Sequence, residues 1–237
     1  MHRRAEAPDW SAIDTVLLDL DGTLLDLAFD NHFWLEVVPH AYAAARGITV
    51  EAARAGLAPR FRAREGTLSW YCAEHWSREL GLDVAALTRA SAARISWLPG
   101  ARESLLSLRA HGKRLVLLTN CHPAVLAIKD ERTQVTELVH GVVSSHSVGA
   151  PKEDADFWHG VHAHGPFDRE RSLFVDDSPP VLRAARAAGI RWVYGVRRPD
   201  SNAGMRHHGE FPALDSVAEL AASLYGARAA LGVRPPG

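Results

Sequence analysis

Apolar residues in this chain fall into two alternating rhythms. Short continuous runs, Thr15 to Leu18, Arg114 to Leu118, Gly141 to Ser144, Ser172 to Val175 and Arg191 to Gly195, are each bounded by polar or turn residues and predict buried strands. Between them lie longer segments with helical spacing: Ala101 to Ala110, Pro123 to Glu131, Asp154 to His164, Pro179 to Ala188 and Leu214 to Leu224. Strand alternating with helix predicts an α/β fold with a parallel sheet covered by helices on both faces. Chemistry in such sheets gathers where the carboxyl ends of the strands meet a topological switch point.

One stretch breaks the rhythm. From Asp26 to Trp97 the composition is helical with no convincing strand, which is too long for an ordinary crossover and predicts an inserted α-helical domain. Within it Val38 to Arg46, Val50 to Arg64, Leu68 to Leu80 and Val84 to Ile95 predict a small bundle, and Leu98-Pro99-Gly100 predicts the hinge back into the core. The expected division is a core of residues 1–25 and 98–226, a helical insertion over 26–97, and a frayed tail over 227–237, where periodicity fails and the chain ends Arg234-Pro235-Pro236-Gly237.

Composition narrows the function class. The 237 residues suffice for a sizeable core, and 27 basic against 28 acidic residues leave a net charge of −1. That balance argues against polymeric nucleic acid or an anionic membrane as partner and favours a small molecule. Cys72 and Cys121 are far apart in sequence and form no redox or metal-type pair, which fits a reducing compartment. Pro8, Asp9 and Asp14 interrupt any apolar stretch after the basic start, and no run approaches the roughly 20 apolar residues of a membrane span. The expectation is a soluble cytoplasmic protein, monomeric or homodimeric.

The candidate chemistry lies at the strand exits. The first strand delivers Asp19 and Asp21, and Gly22 lets the backbone turn so that both carboxylates stay at the sheet edge. Two acids so close need a divalent cation or a shared proton, and oxygen-rich sites of this kind favour magnesium, which meets its substrate through phosphate. The second strand ends in Thr119-Asn120, a hydroxyl and backbone amides suited to phosphoryl oxygens at a helix start. The fourth ends in Asp176-Asp177-Ser178, and after the third comes Gly149-Ala150-Pro151-Lys152, whose ammonium can project over the same crevice. Together these form a phosphoryl-transfer set. Asp19 would attack phosphorus and form an aspartyl phosphate, Asp21 would serve as acid and then base, and Lys152 would offset the charge between carboxylate and phosphate.

The order Asp19-x-Asp21-Gly22-Thr23, Thr119, Lys152, Asp176-Asp177 resembles the four motifs of the haloacid dehalogenase-like phosphatases over residues 13 to 195, and the helical insertion resembles that family's cap. The segments Asp19 to Asn31, Trp70-Tyr71-Cys72, Leu80 to Asp83, Leu118-Thr119-Asn120-x-His122-Pro123 and Pro151 to Asp154 are similar to the bacterial GMP/IMP 5′-nucleotidase branch of the superfamily. The resemblance implies a Mg2+-dependent phosphomonoester hydrolase acting on purine nucleoside monophosphates. By carry-over, Asp19 is nucleophile and metal ligand, Asp21 acid/base with its backbone carbonyl on the metal, Thr119 and Asn120 phosphate binders, Lys152 the charge stabiliser, Asp177 a direct metal ligand, and Asp176 the holder of a coordinated water.

Rivals share much of this set. A dehalogenase would not need Asp21; a sugar phosphate or phosphoglycolate phosphatase, or a phosphomutase, would share the core motifs; a silent binding module of this fold would have lost the acids. Substrate choice is assigned to residues facing the crevice from the insertion: Phe29, Asn31, Trp70 and Tyr71, with Trp76, His32 and Trp34 considered beside them, against the alternative that aromatics at helical spacing are simply core. The histidines His159, His162, His164, His207 and His208 are read as solvated surface, because the first three share no helical face and no cysteine joins them.

Overall fold

In the computed structural model, which describes residues 8–230, the chain runs β1 (Thr15–Leu18), α1 (Ala28–His32), α2 (Val38–Arg46), α3 (Val50–Arg62), α4 (Ala73–Leu80), α5 (Val84–Ser91) and α6 (Ala101–Ala110). It continues through β2 (Arg114–Thr119), α7 (Pro123–Thr133), β3 (Gly141–Ser144), α8 (Ser145–Val148), α9 (Ala155–Gly160), β4 (Ser172–Asp176), α10 (Pro179–Ala187), β5 (Trp192–Val196), β6 (Ala213–Leu214) and α11 (Ala218–Ala230). The six strands form one sheet in the order β3-β2-β1-β4-β5-β6, and every neighbouring pair is parallel.

Strand alternation divides the core. Val16, Leu18, Leu115, Leu117, Leu173 and Val175 face one side and pack against α6 and α11, while Leu17, Val116, Leu118, Phe174 and Val193 face the other and meet Phe157, Trp158, Val181 and Leu182 from α9 and α10. Both faces are covered, so β1 and β4 carry no exposed residue. Each such side chain removed from water contributes about 1.5–3 kcal/mol. The chain leaves β1 for β2 and β3 on one side, then returns to β4 on the other, so the crevice beyond the carboxyl ends of β1 and β4 is the switch point.

The helices between β1 and β2 have a separate apolar cluster, in which Phe33, Val38, Tyr42, Leu57, Trp76, Leu80 and Val84 are buried together. The chain enters and leaves this region side by side: Leu25 bridges Trp97 in antiparallel fashion, Asp26 N–H donates to the Ser96 carbonyl and Leu98 N–H to the Leu24 carbonyl, both at 2.9 Å. Between α1 and α2 a π-helical turn spans Phe33–Val37. Pro39 follows it without an N–H to return to Leu35, which accounts for the widened register.

Several expected boundaries shift. The helix expected over Leu68 to Leu80 begins only at Ala73, because Cys72 is extended and caps it, its Sγ accepting the His75 N–H at 3.3 Å, while the Trp70 carbonyl accepts the Trp76 indole N–H at 2.7 Å. The helix expected from Leu214 starts at Ala218, since Leu214 pairs with Val196 in β6, a strand too short to show a pattern. Helix α11 also continues into the segment read as a tail, through Ala230; residues 231–237, like the basic start Met1 to Arg4, lie outside the described residues. Among the described residues no helix is long and apolar enough to cross a membrane.

Candidate active site

Asp19 continues the β1 path by one residue, its N–H bonding the Val175 carbonyl at 3.0 Å, so the carboxylate leaves the sheet at the switch point. The chain then folds back tightly: Leu24 and Leu25 N–H groups both return to the Leu20 carbonyl, and Gly22 N–H donates to Leu25. Gly22 sits at φ +88°, and a Cβ there would lie 2.7 Å from the Asp177 carboxyl carbon. Only glycine fits both the backbone and the space.

Lys152 is 2 % exposed, and its ammonium bonds Asp19 Oδ1 at 2.5 Å, Asp176 Oδ2 at 2.6 Å and the Leu118 carbonyl at 3.1 Å. Burial works against its charge, but Asp176 and Asp19 outweigh burial and raise its pKa. Asp176 Oδ1 accepts the Ser178 N–H at 2.8 Å, so both of its oxygens are engaged. Asp177 Oδ2 accepts from Arg206 Nη1 at 2.5 Å. Burial, reinforced by Asp176, pushes the Asp177 carboxyl up to about 7, and burial likewise lifts Asp19 well above the usual carboxylate range against the pull of Lys152.

Asp19, Asp176 and Asp177 each offer a carboxylate oxygen within 4.8 Å of the others, all three buried. Three buried acids, two of them resisting ionisation, form a hard oxygen donor set that a divalent cation fits. Thr119 is buried at the end of β2; its Oγ1 accepts the Cys121 N–H at 2.9 Å, which folds the loop and leaves the hydroxyl hydrogen for the cleft.

All six core residues singled out in the sequence, Asp19, Asp21, Thr119, Lys152, Asp176 and Asp177, line one cleft of about 440 Å³, with Asn120 beside them. Asn31, Trp34, Trp70 and Tyr71 line it from the insertion. Phe29 does not: it is buried in the core against Phe33, with the Lys129 ammonium 5.5 Å from its ring centre, so its expected place at the substrate is corrected. Trp76 is 1 % exposed and also belongs to the core of the insertion. The Asn120 side chain ties the Lys152 loop down, accepting the Lys152 N–H and donating to Glu153 Oε2, both at 2.9 Å; Glu153 in turn accepts the Tyr71 hydroxyl at 2.5 Å. A second concavity, about 490 Å³, lies against α9 and α10 and holds none of the strand-end acids.

Sequence reasoning missed Lys129 and Asp30. Lys129 is 1 % exposed and bonds Asp21 Oδ1 at 2.7 Å and Asp30 Oδ1 at 2.8 Å. Burial opposes its charge, yet Asp21 and Asp30 together raise its pKa, while burial and the Asp21 charge push Asp30 up to about 6. A signal existed: Lys129 follows Val125 by four residues, placing a cation on the same row of α7 as an apolar side chain. Arg206, in the loop between β5 and β6, carries no such signal. His208 also departs from expectation. It is 5 % exposed rather than solvated, because Gly195 leaves open the place its own Cβ would fill and the His208 ring occupies it.

A parallel sheet whose first strand ends in a buried Asp19 facing Lys152 and an acidic doublet defines a hydrolase site of one known class. The chain belongs to the haloacid dehalogenase-like hydrolase family, whose sequence profile matches residues 13–189. It is 41% identical over 215 residues to the GMP/IMP nucleotidase YrfG of Escherichia coli, covering 91% of this chain and 97% of that protein. Among solved structures it is similar to an HAD phosphatase from Thermococcus onnurineus (TM-score 0.71, 20% identity, 93% and 98% of the two chains). It is also similar to an L-2-haloacid dehalogenase from Xanthobacter autotrophicus (TM-score 0.60, 19% identity, 90% and 99%). These two likenesses concern the fold.

Proposed function

We propose that this chain is a Mg2+-dependent phosphomonoester hydrolase of the cytoplasm whose substrates are purine nucleoside 5′-monophosphates, GMP and IMP. The observation that carries the chemistry is the convergence of Asp19, Asp21, Thr119 and Lys152 on one cleft beside a buried carboxylate trio. Asp19, Asp176 and Asp177, with the Asp21 backbone carbonyl, would hold the magnesium ion, which when bound neutralises phosphate charge and orients the phosphoryl group. Asp176, both of whose oxygens already accept N–H donors, suits the supporting role, and Asp177 direct ligation.

Asp19 attacks phosphorus: its oxygen bonds to phosphorus as the ester P–O bond breaks, giving an aspartyl phosphate and the nucleoside. Asp21 gives its proton to the departing oxygen, then takes one from the water that cleaves the aspartyl phosphate, returning Asp19 and releasing inorganic phosphate. Lys152, fixed by Asp176 and the Leu118 carbonyl, lowers the repulsion between the Asp19 carboxylate and the phosphate. Thr119 donates its hydroxyl to a phosphoryl oxygen, and Asn120 holds the Lys152 loop beside it.

The nucleotide assignment rests on the 41% identity over nearly the whole chain to a GMP/IMP nucleotidase and on the aromatic wall of the cleft. Residues 26–97 act as a cap over the crevice. Trp34 and Trp70, stacked on each other with ring centres 6.4 Å apart and planes inclined by 25°, would offer aromatic surface to a purine, with Asn31 and Tyr71 at the same wall. The test is phosphate release over nucleoside monophosphates, sugar phosphates and phosphoglycolate with Mg2+. Preference for GMP and IMP supports the reading, and a sugar phosphate turned over faster replaces it.

A further inference from the structure

Away from the acids, Cys72, His122 and His146 each place a ligand atom within 4.8 Å of the other two. They come from three parts of the chain: Cys72 caps α4 in the helical insertion, His122 caps α7 just beyond Thr119, and His146 lies in α8 after β3. The rings of His122 and His146 meet edge to face at 4.7 Å. His146 Nε2 is buried with no hydrogen-bond partner. A buried imidazole nitrogen with no partner, in a residue that meets a thiol and a second imidazole, calls for a ligand. Glu74, in the first turn of α4, adds negative charge near both rings.

We propose that Cys72, His122 and His146 form a second metal site, for a zinc-class cation held by one thiolate and two imidazoles, that ties the helical insertion to the core. Soft sulfur and nitrogen donors select this class over magnesium, and three protein ligands leave a fourth, tetrahedral position for water. Bonds of about 2.0–2.3 Å put tetrahedral ligand atoms roughly 3.3–3.7 Å apart. Binding therefore requires the three ligand atoms, which lie within 4.8 Å of one another, to close to that spacing. Because Cys72 follows Tyr71, whose hydroxyl already bonds Glu153 beside Lys152, the metal closes the same seam and slows substrate exchange.

Co2+ added to the full chain is the probe. One equivalent should produce the near-ultraviolet thiolate-to-cobalt absorption, which a carboxylate site cannot give. The band should vanish in Cys72→Ser, where serine keeps a good helix cap, and weaken at least tenfold in apparent affinity in His146→Gln. Under saturating Mg2+, Zn2+ should inhibit phosphate release at least tenfold more potently in the wild type than in Cys72→Ser. No thiolate band, or one unchanged in Cys72→Ser, overturns the site; equal Zn2+ inhibition of both proteins overturns the closure. The binding arm is independent of the substrate proposed above, so failure of one leaves the other readable.

Discussion

Lys129 reaches from α7 to Asp21, 2.7 Å away, so the side chain assigned as acid and base is anchored by the helix that begins just beyond the Thr119 loop. One buried ammonium holds two carboxylates, Asp21 and Asp30, in fixed positions.

Replacing Lys129 by methionine keeps volume but strands both acids. Removing one partner of a buried ion pair costs roughly 3–5 kcal/mol, and a displaced Asp21 forfeits part of the 10²–10⁴-fold that general acid catalysis supplies. Lys129→Met should lower the urea midpoint and reduce kcat by at least about tenfold. Adding Asp30→Asn should recover stability, because one unpaired charge is removed, but not the full kcat, because Asp21 still lacks its anchor. Additive losses in the double variant would refute the shared-cation account.

Gly22 separates the two jobs of the β1 turn. Alanine there must adopt φ +88°, at a cost of about 1–2 kcal/mol, and its Cβ would press on the Asp177 carboxylate. Gly22→Ala should raise the Mg2+ concentration needed for half-maximal activity by on the order of tenfold, since roughly 1.4 kcal/mol is a factor of ten. Titration of Mg2+ at saturating substrate measures it. An unchanged Mg2+ requirement would show that Asp177 does not serve the metal.

Much of this was legible in the chain because the central strands are buried on both faces. Such strands appear as unbroken apolar runs, and β1 matches its expected limits residue for residue, as does the edge strand β3, where Val142 is exposed. The acids stood out because each interrupts such a run at its end. What pattern could not show was what crosses between distant segments. Arg206 reaches Asp177 from 29 residues away, and Cys72 meets His122 and His146 only after the insertion folds back on the core. Phe29 misled for the opposite reason. It follows the first motif closely, but the α1 helix turns it inward beneath Lys129 while Asn31 stays at the cleft.

Lys152 is more than a bystander to Asp19. Its ammonium touches both the nucleophile and Asp176, so Lys152→Met removes the charge that offsets an approaching phosphate. The expected loss in kcat is on the order of 10²–10³-fold, the scale seen when one stabilising donor is removed from an active site. Lys152→Arg should not rescue, because a guanidinium does not fit a buried pocket shaped for a point charge. Single-turnover phosphate release checks both variants, and substantial activity in Lys152→Met would remove it from the mechanism.

His208 makes stability depend on pH. Its Nε2 bonds the Val196 carbonyl at 2.8 Å, and its Nδ1 is buried without a partner, so a second proton would enter an unpaired position. Burial lowers its pKa below the ordinary 6.5, outweighing the favourable carbonyl bond. Below about pH 6.5 the unfolded chain therefore binds a proton that the native state refuses, and stability falls as pH drops from 6.5 through the lowered native value. Burial depresses His122, His146 and His162 as well, so the wild-type loss is a sum of several groups. His208→Gln preserves a donor for the Val196 carbonyl but cannot titrate. Urea midpoints measured from pH 8 to pH 5 should fall less steeply for this variant than for the wild type, with the curves converging as pH decreases; parallel curves would mean that His208 takes up its proton in the folded state without cost.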